Sequence, residues 1–258
     1  MDFKIKGRKA LVTGASRGIG RAIAQSLAEE GAEVVLVARN QEQLEDFRKE
    51  HGDQHISIAM DLTQDGEPAK LVEKLKKVGP IDIIVHNMGG NLDVTDPFCS
   101  VADWRKIYRF NLEVAVELNA LLVPEMQKRK WGRVVHISSI AALENQGTVP
   151  YCAMKAALCS YTRSMGRYVS ADGVAMSAVL PGAVFTEGGY WDYTSKNRPE
   201  HVEKYLNERM AIRRFGSLSE ISSVVSFLCS EAASFVVGSS FLVDGGQGRS
   251  FMFGSEFE

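Results

Sequence analysis

The chain has 258 residues, 45% of them apolar and 24% charged, with 30 basic against 32 acidic side chains and a formal net charge of -2. That profile fits one ordinary globular domain, and with no block of like charge it argues against a nucleic-acid or membrane-surface protein. No uninterrupted apolar run approaches the roughly 18 residues of a transmembrane helix. The polar start Met1 to Lys9 does not read as a secretory signal. Cys99, Cys152, Cys159 and Cys229 lack metal-ligand spacing and read as reduced thiols, so no metal site and a cytoplasmic location are expected.

In chain order, Ala10–Thr13 reads as a strand and Gly20–Glu30 as a helix stopped by Gly31. Val34–Ala38 is an all-apolar strand, as expected where both faces are covered. A helix at Gln41–Glu50, a strand at Ile56–Met60, a helix at Glu67–Val78 ended by Gly79-Pro80 and a strand at Ile81–Val85 follow. One long helix is expected from Val101 to Arg129, then a strand at Arg133–Ser138, a helix at Tyr151–Ser170 and a strand at Ala175–Val179. A helix at Ser217–Cys229 and a strand at Ser240–Val243 complete the pattern. Such alternation implies a doubly wound α/β domain, a parallel sheet with helices on both faces, spanning residues 1–253. The stretch 182–214 is long, polar and aromatic, with Tyr190, Trp191, Tyr193 and Tyr205, and is expected to be a mobile flap over a substrate. Residues 254–258 read as an expression scar, because Gly-Ser-Glu-Phe is what two adjacent cloning sites encode.

Thr13-Gly14-Ala15-Ser16-Arg17-Gly18-Ile19-Gly20 lies between the first strand and first helix. Three missing side chains let the backbone bend and approach a diphosphate, which a helix N-terminus then attracts. After the second strand, where an acid would accept from an NAD ribose, the chain has Arg39. With Arg17 it can pair a 2′-phosphate through planar, bidentate forks, so NADP(H) is the expected cofactor. Asp61 after the third strand either accepts from an adenine amino group or caps the next segment. Tyr151 and Lys155 share one helix face one turn apart. A nearby ammonium lowers a tyrosine pKa toward the range where it exchanges protons with a carbonyl oxygen.

Together with Asp61-Leu62, His86-Asn87-Met88-Gly89, Asn111, Ser138-Ser139, Pro181-Gly182, Thr186 and Asp244-Gly245-Gly246, these motifs resemble the short-chain dehydrogenase/reductase family over essentially the whole chain. The resemblance implies a Rossmann-type seven-stranded parallel sheet. It also implies a catalytic set of Asn111, Ser139, Tyr151 and Lys155, in which Tyr151 is the acid/base, Lys155 lowers its pKa and holds the nicotinamide ribose, and Asn111 holds a relay water. Cofactor contacts are implied for Gly14, Ser16, Arg17, Gly18, Ile19, Arg39, Asp61, Leu62, Asn87, Gly89, Tyr151, Lys155, Pro181, Gly182, Val184 and Thr186.

Two departures stand out. His86 and Met88 replace the family's usual asparagine and alanine, and His86 reads as a packed strand-end residue. Family phasing selects Ser139 as the catalytic serine, whereas counting back from Tyr151 selects Ser138. The expected activity is reduction of a ketone or oxidation of a secondary alcohol with NADP(H). The substrate would be a 3-oxoacyl group on a carrier protein, or a sugar or polyol; Lys128-Arg129-Lys130 reads first as a solvated helix end favourable to the helix dipole, with docking of an acidic carrier as the second reading. An NAD-dependent alcohol dehydrogenase and a dinucleotide sensor without turnover are the alternatives; a sensor need not keep all four catalytic residues. Cys152 and Cys159 are expected to pack against another subunit, and the resemblance implies a homotetramer or homodimer.

Overall fold

A computed structural model describes residues 3–249, so the segment read as a scar lies outside the described residues. Seven parallel strands form one sheet in the order β3-β2-β1-β4-β5-β6-β7. They are β1 (Lys9–Thr13), β2 (Glu33–Ala38), β3 (Ile56–Ala59), β4 (Ile83–His86), β5 (Gly132–Ile137), β6 (Val174–Pro181) and β7 (Ser240–Val243). Each predicted strand is present within two residues of its expected ends, the usual scatter of element boundaries.

Alternation along the buried strands divides the core into two layers. Ala10, Val12, Val34, Leu36, Ile83 and Val85 pack against α1 (Gly18–Glu29), α2 (Gln41–His51) and α9 (Leu218–Leu228). Leu11, Val35, Val37, Ile84 and Val134 face α3 (Glu67–Leu75), α5 (Val114–Lys128) and the end of α6 (Val149–Val169). The strand order reverses between β1 and β4, which opens a crevice at their carboxyl ends, where open α/β sheets bind ligands.

Two expectations of helix extent need correction. The helix expected to reach Val78 ends at Leu75; Val78 and Gly79 fold back onto the Leu75 carbonyl as the chain approaches Gly79-Pro80. The long helix from Val101 is α4 (Val101–Tyr108) and α5 joined through a π-helical turn, Arg109–Glu113. Such a turn inserts one residue without breaking the rod, so apolar spacing alone does not announce it. The stretch 182–214 contains two helices, α7 (Tyr190–Asn197) and α8 (Pro199–Arg209). The ring centroid of Trp191 in α7 lies 4.3 Å from that of Tyr205 and 4.7 Å from that of Phe215, whereas Tyr190 and Tyr193 are exposed.

Among the described residues no helix is long and apolar enough to cross a membrane, and no cluster of three or more His, Cys, Asp or Glu could hold a metal ion. Leu36, fully buried at the centre of β2, supports the first layer. Leu36→Ala is expected to lower unfolding free energy by about 2–5 kcal/mol, measured by guanidinium denaturation.

Candidate active site

The crevice begins with a sterically constrained turn. Gly14 and Gly18 adopt φ values of 64° and 57°, in the region that L side chains rarely enter. A Cβ on Gly20 would lie 2.2 Å from the Gly14 carbonyl oxygen and 2.4 Å from the Asn87 amide nitrogen. Asn87, just after β4, donates through Nδ2 to the carbonyls of Thr13 (3.2 Å) and Gly14 (3.1 Å). The buried Thr13 hydroxyl accepts from the backbone N–H groups of Asn87 and Met88. The ends of β1 and β4 are thereby tied across the switch point, and the first N–H groups of α1 face the crevice.

The cleft has a volume of about 1270 Å³. Its lining brings together nearly every cofactor residue expected from the sequence: Gly14, Ser16, Arg17, Gly18, Ile19, Arg39, Asp61, Leu62, Asn87, Gly89, Tyr151, Lys155, Pro181, Gly182 and Thr186. Val184 is the exception. It is buried and bridged in parallel to Gly216, so it supports the cleft wall from behind. Arg17 and Arg39 are exposed and line the cleft. The Asp61 carboxylate accepts from the Thr63 backbone N–H (3.1 Å) and hydroxyl (2.7 Å), so it caps the following turn. Those hydrogen bonds and the charge of Arg39 hold it below the usual carboxylate range against the opposing effect of burial, which is the largest single influence. The cradle that a Cβ would fill, the helix N-terminus and the two guanidiniums fit a dinucleotide carrying an extra phosphate.

Helix α6 starts at Val149 with Pro150 in its first turn, which presents Tyr151 and Lys155 to the cleft. Lys155 Nζ donates to the Ile137 carbonyl at 2.8 Å and lies 5.6 Å from the Tyr151 ring centroid. Burial pulls the Lys155 ammonium down to about 8. Burial also raises the Tyr151 phenol above its usual value, opposed by a hydrogen bond with the Ser139 hydroxyl. The expected lowering of Tyr151 by Lys155 is therefore absent here: the ammonium is over the ring and bonded to a backbone carbonyl, and burial dominates the phenol.

The two serines have different surroundings. The Ser138 hydroxyl is buried, donates to the Lys155 carbonyl at 3.0 Å and receives the Cys159 thiol at 3.3 Å. Ser139 accepts from the Ala141 N–H at 3.1 Å, and its hydroxyl meets Tyr151. Cys159 thus packs inside its own chain, against the expectation of a subunit contact.

Asn111 lies one layer behind the cleft, in the π turn, beside a small cavity that His86 and Thr13 also line. Its side chain accepts from Gly90 N–H at 2.9 Å and donates to the carbonyls of Gly90 (2.8 Å) and Ile107 (2.9 Å). A Cβ on Gly89 would lie 2.8 Å from both Asn111 Oδ1 and Lys155 Nζ, which places those two groups side by side. His86 is buried, accords with its reading as a packed residue, and meets Asn119 at 2.8 Å.

Sequence reasoning missed Gln247. Its buried side chain accepts from Ala183 N–H at 2.7 Å and donates to the Tyr205 hydroxyl, linking the exit of β6 to α8. A lone glutamine after a glycine pair carries no local signal for such a long-range bridge. The basic cluster lies exposed at the end of α5, as a solvated helix end does. Lys128 pairs with Glu125, Arg129 with Asp82 and Lys130 with Asp172.

Comparison with known proteins agrees with this geometry. A family model described as Enoyl-(Acyl carrier protein) reductase matches residues 14–247. The 3-oxoacyl-[acyl-carrier-protein] reductase FabG of Aquifex aeolicus (strain VF5) is 34% identical over 252 residues, covering 95% of this chain and 99% of the relative. L-Sorbose reductase from Gluconobacter frateurii, solved with NADPH and L-sorbose, superposes with a TM-score of 0.89 at 31% identity over 96% of this chain and 98% of that one. A 3-oxoacyl (acyl-carrier-protein) reductase from Agrobacterium tumefaciens C58, solved with NADP bound, has a TM-score of 0.89 at 33% identity over 95% and 96% of the two chains. With a seven-stranded parallel sheet, a glycine turn tied to β4 and a tyrosine and lysine one turn apart, the chain belongs to the short-chain dehydrogenase/reductase family of oxidoreductases.

Proposed function

We propose that this protein is an NADP(H)-dependent reductase of a small, polar ketone, with Tyr151 as the proton donor. The reading is supported by one cleft whose lining includes both Arg17 and Arg39 and the set Ser139, Tyr151 and Lys155. Bound NADPH supplies the hydride. Tyr151 gives its phenolic proton to the carbonyl oxygen, while the Ser139 hydroxyl holds that oxygen beside it. A phenol raised by burial stays protonated at neutral pH, the form required for reduction. Lys155, fixed by the Ile137 carbonyl, offsets the charge left on Tyr151 and holds the nicotinamide ribose. Asn111 keeps the Gly89–Gly90 backbone in place beside Lys155 and serves the proton relay. Arg17 and Arg39 clamp the 2′-phosphate.

A free sugar-like or polyol-like ketone suits the site better than a carrier-bound acyl group. The cations that would dock an acidic carrier already have acidic partners within the chain. The similarity to 3-oxoacyl-carrier reductases supports the carrier-bound substrate as a second reading. Free thiols at all four cysteines suit a reducing, cytoplasmic setting. The exposed Tyr168 of α6, Phe235 before β7 and Leu242 of β7 suit burial between copies in the expected homotetramer.

NADPH oxidation with ketohexoses, keto sugar acids and a 3-oxoacyl thioester tests the substrate class, with faster turnover expected on the sugars. Tyr151→Phe is expected to lower kcat by about 10²–10⁴-fold; equal rates for the two proteins would refute the mechanism. In fluorescence titrations NADPH is expected to bind at least about ten-fold tighter than NADH, and Arg39→Asp to erase that difference. As pH rises, Lys155 loses its proton near 8, so kcat/KM for reduction is expected to be level around neutrality and to fall above about pH 8.

A further inference from the structure

Behind the catalytic layer lies a chain of buried polar groups that the reaction does not consume. His86 and His136 are register partners on β4 and β5, and their rings stack with centroids 4.9 Å apart at 11°. Between these strands and α6 sits Asn119 of α5. His86 Nε2 meets Asn119 Oδ1 at 2.8 Å, and Asn119 Nδ2 meets His136 Nε2 at 3.1 Å. His136 Nδ1 meets the Thr162 hydroxyl at 3.0 Å, and Thr162 donates to the Leu158 carbonyl at 2.7 Å. A second Asn119 Nδ2 proton goes to the Tyr161 hydroxyl at 3.2 Å. His86, Asn119, His136 and Thr162 are each no more than 3% exposed.

The hydrogen bonds can run in only one direction. Thr162 has one hydroxyl proton, and the Leu158 carbonyl takes it. Thr162 must then accept from His136, so His136 carries its proton on Nδ1 and leaves Nε2 bare. A bare Nε2 accepts from the Asn119 amide, and Asn119 Oδ1 in turn accepts from His86, whose proton is on Nε2. Both imidazoles are neutral in this arrangement, in keeping with the burial that pulls His86 down to about 4 and His136 well below its usual value.

Its location gives the chain a role. His86 immediately precedes Asn87, which ties the glycine turn; His136 lies two residues before Ser138 and three before Ser139. Thr162 lies seven residues after Lys155, two turns along the same face of α6. Asn119 shares a continuous helical rod with Asn111. We propose that His86, Asn119, His136 and Thr162 form a directional hydrogen-bond clamp that positions α6, and with it Tyr151 and Lys155, against the strand ends carrying Asn87 and Ser139. The proposal rests on the reductase reading for its kinetic consequence. Apolar side chains of similar volume could supply comparable stability at such a site. What they lack is direction: the bonds that reach α6, His136 to Thr162 and Asn119 to Tyr161, fix its rotation and height, and the His86–Asn119–His136 bonds fix the groups that make them, where dispersion contacts tolerate sliding.

Two sets of variants test the clamp. Thr162→Val removes the hydroxyl at nearly constant shape, and Thr162→Ser restores it. A triple replacement, His86→Leu, Asn119→Leu and His136→Leu, removes the rings and the amide together; Thr162 keeps its bond to the Leu158 carbonyl, and the half-buried Tyr161 hydroxyl loses the Asn119 amide. For Thr162→Val we expect NADPH affinity within about three-fold of wild type but kcat reduced about ten-fold or more, as a misplaced donor dictates. Thr162→Ser should recover most of that kcat. A triple variant with native-like melting should show the same loss of kcat. Wild-type kcat in Thr162→Val, or in a stably folded triple variant, would overturn the positioning role. Independently of turnover, ¹⁵N NMR of the imidazoles should find His86 as the Nε2–H tautomer and His136 as the Nδ1–H tautomer. The opposite pair, or a charged ring at neutral pH, would overturn the clamp. A wild-type protein that reduces no ketone would instead refute the functional reading, and the tautomer result would still stand on its own.

Discussion

The side-chain amide of Asn87 spans the gap where the sheet changes direction. By holding the Thr13 and Gly14 carbonyls, it fixes the glycine turn relative to β4. Everything on the cofactor side of the cleft is referred to that tie. Gly20 has no side chain because this amide and the Gly14 carbonyl occupy the place where a Cβ would be. The turn in turn brings the start of α1 to the crevice that the exposed Arg17 and Arg39 also line. A parallel sheet supplies the crevice for topological reasons alone; one amide makes its floor rigid.

The catalytic side is organised by the end of β5. The Ile137 carbonyl receives the Lys155 ammonium, the Ser138 hydroxyl receives the Cys159 thiol and donates to the Lys155 carbonyl, and Ser139 meets Tyr151. Three consecutive residues, the last of β5 and the two after it, thus address three turns of one helix. Burial around this seam acts on both partners, raising the phenol and lowering the ammonium, so each is biased toward its neutral form before any ligand charge enters.

Strand and helix types were legible in the sequence because buried parallel strands and amphipathic helices differ in length and period, as Val34–Ala38 and Gln41–Glu50 do. The glycine turn, Arg39 and the Tyr151/Lys155 pair were legible because each motif is local. What escaped was non-local. Ser138 and Ser139 are chemically identical neighbours, and only the pleat of β5 and the contacts of α6 give them different partners. Gln247 acts across more than forty residues, on Tyr205 and on Ala183. The helices within 182–214 escaped because their apolar contacts are few and local, Trp191 packing on Tyr205 and Phe215 while Tyr190 and Tyr193 stay exposed. Even Lys128-Arg129-Lys130, legible as basic, concealed that each charge was already matched.

The π turn at Arg109–Glu113 has a consequence for how this chain can change in length. One added residue turns everything beyond it by about 100° around the helix axis. The helical half that borders the cleft and the half that carries Asn119 therefore hold independent rotational settings within a single rod. A one-residue deletion there would leave every side chain of the site in the sequence and most of the helix intact. It would nonetheless force the two halves into a common phase, so either Asn111 or Asn119 would swing away from its partners. At this point of the fold the residue count is itself a part of the site, and the reading frame of a helix constrains variation as firmly as the identity of a catalytic side chain.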